Sequence, residues 1–191
     1  MNELTPERLK KLEMRETMLL KRRQLSESDM RKAMIKVSEE VMDIINTKPR
    51  IKCVGLYNAI NKEIDMTFLA EMLATKGIKV ALPRVKVKHE PLVFNTWNLL
   101  NLVDKDAEGI PCAMGTEIIP DVVVIPLVAY NKNGYRVGYG SGYYDRTLST
   151  SLKGCFAIGV GYSFQESDSV EEESHDVPMN VIVTEKEILT L

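Results

Sequence analysis

IKCVGLYNAINKEIDMTFLAEMLATKGIKVAL, residues Ile51–Leu82, is the stretch that decides the fold. Its first part, Ile51–Tyr57, is a mostly apolar run of strand length, bounded by the polar turn Asn58–Glu63. Such a run suits a strand buried on both faces. The period then changes. Phe68, Leu69, Met72 and Leu73 recur at helical spacing behind Asp65, a helix-capping residue, and Gly77 supplies the stop. Ile78–Leu82 reads as a second strand. Strand, helix and strand in close succession imply a parallel pair joined by a right-handed crossover.

The flanking sequence extends this unit. Thr5-Pro6 places a hydroxyl cap before a first-turn proline, opening a helix that runs to about Gln24. Ser26 and Asp29 start a second helix, whose apolar positions Met30, Met34, Val37, Val41, Ile44 and Ile45 keep helical period until Lys48-Pro49. Downstream, Leu92–Trp97 suits a strand and Asp104–Thr116 a loop. Val122–Ile125 is a buried strand, Tyr143–Leu152 a helix and Phe156–Val160 a further strand. Val181–Thr184 is a last short strand, followed by a terminal helical turn. The expected architecture is one domain over residues 1–191. It is an α/β fold: a three-layer α/β/α sandwich with a mainly parallel central sheet and an N-terminal helical pair.

Composition narrows the class. The chain is 45% hydrophobic and 27% charged, with a net charge of −2, so no overall basic field attracts nucleic acid. Charge is uneven: residues 1–32 carry nine Lys/Arg against six acids, and residues 165–191 one Lys against eight acids. Cys53, Cys112 and Cys155 lack paired spacing, and with only His89 and His175 there is no zinc grid. The N-terminus is charged from its first residues, and the longest uncharged apolar run, Val122–Tyr130, is too short to span a bilayer. A cytoplasmic protein without a membrane partner is expected.

After the strand Val122–Ile125 comes NGYRVGYGSGYYD, Asn133–Asp145, with four glycines interleaved among four tyrosines. In open α/β sheets ligands bind beyond the carboxyl ends of strands, where this segment lies. Gly138, Gly140 and Gly142 let backbone N–H groups approach an anion, and Arg136 offers a fork for phosphate. The spacing is neither the dinucleotide fingerprint nor the Lys-Ser/Thr phosphate loop. A purely structural glycine loop therefore stands beside the phosphate reading. The tyrosines favour a flat ring bound next to phosphate. Asp145 is at home in a first helical turn, and is equally placed to hold Mg²⁺.

The longer stretch IPLVAYNKNGYRVGYGSGYYDRTL resembles the signature of the 5-formyltetrahydrofolate cyclo-ligases. KLEMRETMLLKRRQLS, KEID, GIKVALPRV and AIGVGYSFQ…HDVPMNVIVTE match that family in order, so the resemblance spans nearly the whole chain. Two segments depart from it. GIPCAMGTE stands in place of a Gly-x-x-Glu-Pro motif, and SDSVEEESHD lacks the usual Leu-Pro before its acidic turn.

The resemblance implies ATP- and Mg²⁺-dependent conversion of 5-formyltetrahydrofolate, free or polyglutamylated, to 5,10-methenyltetrahydrofolate with release of ADP and phosphate. It implies a monomer or weak dimer. Lys11, Arg15, Arg136 and the segment Gly138, Gly140, Ser141, Gly142, Tyr143 and Tyr144 are the implied ATP site, with Arg136, Tyr144 and Lys11 carrying catalysis. Asn58, Glu63, Trp97 and Tyr139–Tyr143 are the implied substrate site, although core packing is the commoner role for a lone Trp in a strand-like segment. Asp145 and Asp176 are the implied magnesium carboxylates. Arg22 and Arg23 receive no role. The competing readings are a non-catalytic folate- or nucleotide-binding homologue and another small-molecule ATP-dependent α/β enzyme.

Overall fold

The computed structural model describes residues 5–100 and 104–191, so the first residues of the charged N-terminal segment lie outside it. Two long helices open the chain, α1 (Pro6–Arg23) and α2 (Glu27–Asn46). Each is capped as its sequence predicts. The Thr5 hydroxyl accepts from the Arg8 N–H at 3.4 Å, and the Ser26 hydroxyl accepts from the Asp29 N–H at 3.1 Å.

Next come β1 (Cys53–Gly55), α3 (Thr67–Thr75) and β2 (Lys79–Arg84), with β1 and β2 parallel. The cap of α3 differs from expectation. Met66 holds the cap position without a side-chain bond, and Asp65 instead accepts from the Thr67 N–H and hydroxyl, a local turn that competes with capping. β3 (Val93–Trp97) follows and pairs antiparallel with β2.

Residues 104–116 are more ordered than a loop. β4 (Asp104–Lys105) and β5 (Pro111–Cys112) form a small hairpin. Its turn is built on the Asp106 carboxylate, which accepts the N–H groups of Glu108, Ile110 and Val85. Gly115 then passes against β3: an added Cβ would lie 2.1 Å from the Thr96 carbonyl oxygen, so only glycine fits.

β6 (Val122–Pro126) leads into a short hairpin, β7 (Ala129–Tyr130) and β8 (Arg136–Val137), and then into α4 (Tyr143–Ser149). This helix stops short of the expected Leu152. β9 (Phe156–Val160), a single 3₁₀ turn (Ser163–Gln165), β10 (Val181–Val183) and β11 (Ile188–Thr190) complete the chain. The expected terminal helical turn is a strand. Thr184 folds the chain back by accepting the Lys186 and Glu187 N–H groups on its hydroxyl, and β11 pairs antiparallel with β10.

The sheet order is β11-β10-β9-β6-β1-β2-β3. The strands from β10 to β2 run parallel, with an antiparallel strand at each edge. Alternate residues face opposite layers. Val54, Val80, Val122, Val124 and Ile158 share one core with α2 and α3, whereas Cys53, Ala81, Val123, Ile125 and Ala157 share the other with Leu148 and Leu152. Both faces are covered, as a parallel sheet requires. A third cluster, Met18, Val128, Ala129 and Val137, seats α1 against the β7–β8 hairpin beyond the carboxyl end of β6. That seat brings the basic N-terminal helix to the glycine-rich loop.

Candidate active site

A cleft of about 780 Å³ opens where α1, the glycine-rich loop, the 58–63 turn and the β4–β5 hairpin meet. Its volume is that of a sizeable small-molecule site. One wall belongs to the cations. Lys11 and Arg15 lie one helical turn apart, and both line the cleft with Arg136. The Arg15 Nε donates to the Gly138 carbonyl at 2.7 Å, tying the helix to the loop across more than a hundred residues of chain. Burial lowers the Arg15 pKa, partly offset by the Glu173 carboxylate. Lys11 is ion-paired with that same Glu173.

The loop between these cations and α4 is nearly bare of side chains. Gly140 has φ +100°, and a Cβ there would come within 3.4 Å of the Arg15 guanidinium. Gly142, with φ +65°, is the cap of α4. Beside Gly138 there is open space where a side chain would sit. This is a cradle an anion could enter, with backbone N–H groups and the cations Lys11, Arg15 and Arg136 around it.

Arg136 is held in place by the protein. Its Nη1 donates to the Val177 carbonyl at 2.8 Å, and its Nη2 pairs with Asp145 Oδ1 at 2.7 Å. The Asp145 carboxylate also accepts the Val177 N–H at 3.3 Å. Asp176 lines the same cleft, and its Oδ2 accepts the Glu173 N–H at 2.8 Å. Among the described residues no group of three or more His, Cys, Asp or Glu side chains could enclose a metal. Two carboxylates beside a phosphate cradle nevertheless fit Mg²⁺, which commonly takes one or two protein carboxylates and completes its octahedron with phosphate oxygens and water.

The opposite wall is aromatic and apolar, with one buried acid. Tyr57, Val85, Leu92 and Ile110 line it, and Glu63 lies among them, 6% exposed. Glu63 Oε2 accepts the Ile60 N–H at 2.9 Å, while Oε1 is buried and meets no donor in good geometry. Burial raises its pKa, opposed by the Ile60 N–H, the Arg22 guanidinium and the Tyr139 hydroxyl. Asn58 stands at the cleft edge, its Nδ2 3.5 Å from the Pro111 carbonyl. Tyr143 donates to Glu108 at 2.6 Å, closing the β4–β5 hairpin over the loop. Tyr144, beside it, is part-buried, and desolvation raises its pKa.

Thus Lys11, Arg15, Asn58, Glu63, Arg136, Asp145, Asp176 and the segment Gly138–Tyr144 converge on one cleft. Trp97 does not join them. It packs against the core and a separate small cavity, and its Nε1 donates to the Leu100 carbonyl at 2.8 Å. Glu108 and the Ile110–Pro111 edge lie in a segment read as featureless loop. Arg8 lines the cleft as well, and its place seven residues before Arg15, on the same helix face, is the trace of that role in the sequence.

Comparison with known proteins shows the family and the fold. The 5-formyltetrahydrofolate cyclo-ligase family model matches residues 7–185. The 5-formyltetrahydrofolate cyclo-ligase of Mycoplasma pneumoniae is 29% identical over 174 residues, covering 91% of this chain and 97% of the relative. That of Mycoplasma genitalium is 32% identical over 160 residues, covering 81% and 86%. Among solved structures, the 5,10-methenyltetrahydrofolate synthetase of Mycoplasma pneumoniae superposes with a TM-score of 0.75 at 29% identity, covering 92% of this chain and 98% of that one. The Aquifex aeolicus 5,10-methenyltetrahydrofolate synthetase gives 0.74 at 33% identity, covering 94% and 92%. The family model over nearly the whole chain, together with these relatives and the shared fold, leads to one conclusion: the chain belongs to the 5-formyltetrahydrofolate cyclo-ligase family.

Proposed function

We propose that this chain uses ATP and Mg²⁺ to convert 5-formyltetrahydrofolate to 5,10-methenyltetrahydrofolate, releasing ADP and phosphate. The observation that carries the reading is the convergence of a cation-lined glycine cradle and an aromatic wall with a buried carboxylate in one cleft. A triphosphate and a fused heterocycle have complementary places there.

The chemistry explains why no Ser-His or Cys-His pair is needed. A formyl oxygen leaves poorly as hydroxide and well as phosphate. The formyl oxygen takes the γ-phosphoryl group, displacing ADP. The second folate nitrogen then attacks the activated carbon and gives up its proton, and phosphate departs as the ring closes. Protein catalysis of phosphoryl transfer is mainly positioning and charge stabilisation. Lys11, Arg15 and Arg136 suit neutralisation of the phosphates, and the N–H groups of Gly138–Gly142 suit their orientation. Tyr144 walls the reacting region. Bound Mg²⁺, held by Asp145 and Asp176, would supply further neutralisation of phosphate charge. Glu63 offers a carboxylate acceptor to ring N–H donors, with Asn58 at the entrance. Tyr57, Val85 and Leu92 help exclude water from the activated formyl group.

The cysteines offer no rival nucleophile, since burial pushes Cys53 and Cys155 up to about 11. Incubating the protein with ATP, Mg²⁺ and 5-formyltetrahydrofolate should give the near-ultraviolet absorbance of the methenyl product. Folded protein that binds both ligands without producing that signal would instead be a binding homologue.

A further inference from the structure

Arg22 has no place among the phosphate-facing groups, yet it is the cation of α1 that the fold buries. It is 1% exposed, although its neighbours Lys21 and Arg23 on the same last turn are exposed. An arginine at a helix end ordinarily extends its head to water, and burying a guanidinium is costly unless it is paired. Here the head turns inward. Nε donates to the Asn61 carbonyl at 2.8 Å, Nη1 to the Leu127 carbonyl at 3.3 Å and Nη2 to the Tyr139 hydroxyl. Nη2 also lies 3.9 Å from Glu63 Oε1, the oxygen otherwise without a partner.

Of these partners Glu63 and Tyr139 line the cleft, and Asn61 belongs to the 58–63 turn that borders it. Asn61 and Lys62 hold consecutive left-handed conformations, with φ 48° and 57°, which Asn tolerates but Lys rarely adopts without outside constraint. The end of α1 supplies that constraint. Arg22 holds the Asn61 carbonyl, and the Lys62 ammonium donates to the Arg23 and Leu25 carbonyls at 2.8 and 2.9 Å. Glu63 is the next residue. Tyr139, reached by the same guanidinium, lies in the glycine-rich loop.

We propose that Arg22 is a positioning residue that locks the Glu63 carboxylate and the Tyr139 ring in fixed relation on the substrate wall, so that the acid meets the ring N–H donors of the folate. The inference rests on the folate reading of the cleft. The groups facing Glu63 are Arg22 from α1, Tyr139 from the glycine loop, Tyr57 after β1, Tyr144 from α4 and Tyr162 after β9. Arg22 is the sole cation named among them, so removing it disfavours the ionised acid. The pH below which folate binding is lost should therefore rise.

Calorimetric titration of 5-formyltetrahydrofolate into full-length protein across pH, without ATP, tests this independently of turnover. Arg22→Met should weaken folate binding roughly tenfold, as for loss of a charged hydrogen-bonding partner, and move its acid limb to higher pH. Affinity for a non-hydrolysable ATP analogue should change less than about twofold. Combined with Glu63→Gln, the same substitution should no longer move the limb. Arg22→Lys, which keeps charge with fewer donors, should weaken folate binding severalfold with the limb near its original position. A folded Arg22→Met protein with unchanged folate affinity and pH profile overturns the proposal, as does equal loss of both ligands. If Arg22→Met does not fold, an Arg22→Lys protein indistinguishable from wild type at every pH overturns it too. Wild-type protein that binds the folate but forms no methenyl product contradicts the proposed catalysis and leaves this inference standing.

Discussion

Replacing Arg136 with alanine separates the fold from the proposed phosphate site. In the folded protein the guanidinium makes a 2.8 Å bond to the Val177 carbonyl and a 2.7 Å pair with Asp145. The paired side chains are 5% and 21% exposed. Breaking a fully buried ion pair costs about 3–5 kcal/mol, but Asp145 can be partly rehydrated, which lowers the cost to about 2 kcal/mol. For a chain of this size that is a fall in Tm of roughly 4–8 °C. The protein should still fold. Loss of a charged donor to phosphate should cost a further 1.5–3 kcal/mol or so in ATP binding, a rise in Kd of roughly 10–150-fold. Calorimetry with a non-hydrolysable ATP analogue and Mg²⁺, well below the melting transition, reads that term alone. Arg136→Lys should recover part of the binding but not the forked geometry. Folded Arg136→Ala protein with an unchanged Kd would refute the phosphate role and leave Arg136 as a brace for Val177.

Other substitutions test the remaining walls. Asp145→Asn should raise the Mg²⁺ concentration needed for half-maximal rate more than it raises the folate KM, measured by titrating Mg²⁺ at saturating folate. Glu173→Gln frees Lys11 from a pair whose side chains are 19% and 48% exposed. Such a pair is worth about 1 kcal/mol at most, so the ATP KM should fall up to about fivefold at low ionic strength, and the difference should vanish at ~1 M salt. Glu63→Gln probes stability against pH. The folded Glu63 carboxyl titrates above its unfolded value because burial disfavours its charge. The ionised side chain therefore destabilises the fold at neutral pH, and that cost disappears as pH falls through the unfolded pKa. The glutamine variant should melt higher at neutral pH, with the gap closing in acid, while losing folate affinity.

Much of this arrangement is legible in the sequence because it is governed locally. The change of period between Ile51 and Leu82 announces β1, α3 and β2, and the caps at Thr5 and Ser26 announce the long helices. Gly140 and Gly142 stand out because their positive φ demands glycine. What stays hidden depends on distant partners. EKEILTL carries residues at home in a helix, and becomes a strand because β10 presents an edge and Thr184 turns the chain onto it. The β4–β5 hairpin depends on one carboxylate, Asp106, gathering three N–H groups. Arg22 looks like any solvated helix cation until Asn61, Leu127 and Tyr139 arrive from elsewhere in the chain. Its spacing of seven from Arg15, itself seven from Arg8, is the sequence trace of that shared face.

A crystal structure with ADP, Mg²⁺ and 5-formyltetrahydrofolate bound tests the central claim most directly. The account predicts the diphosphate within hydrogen-bonding distance of the Gly138–Gly142 backbone, with Lys11 and Arg15 turned onto it and the pterin ring against Glu63. Phosphates seated elsewhere, with Lys11 still on Glu173 and the glycine loop empty, would contradict it.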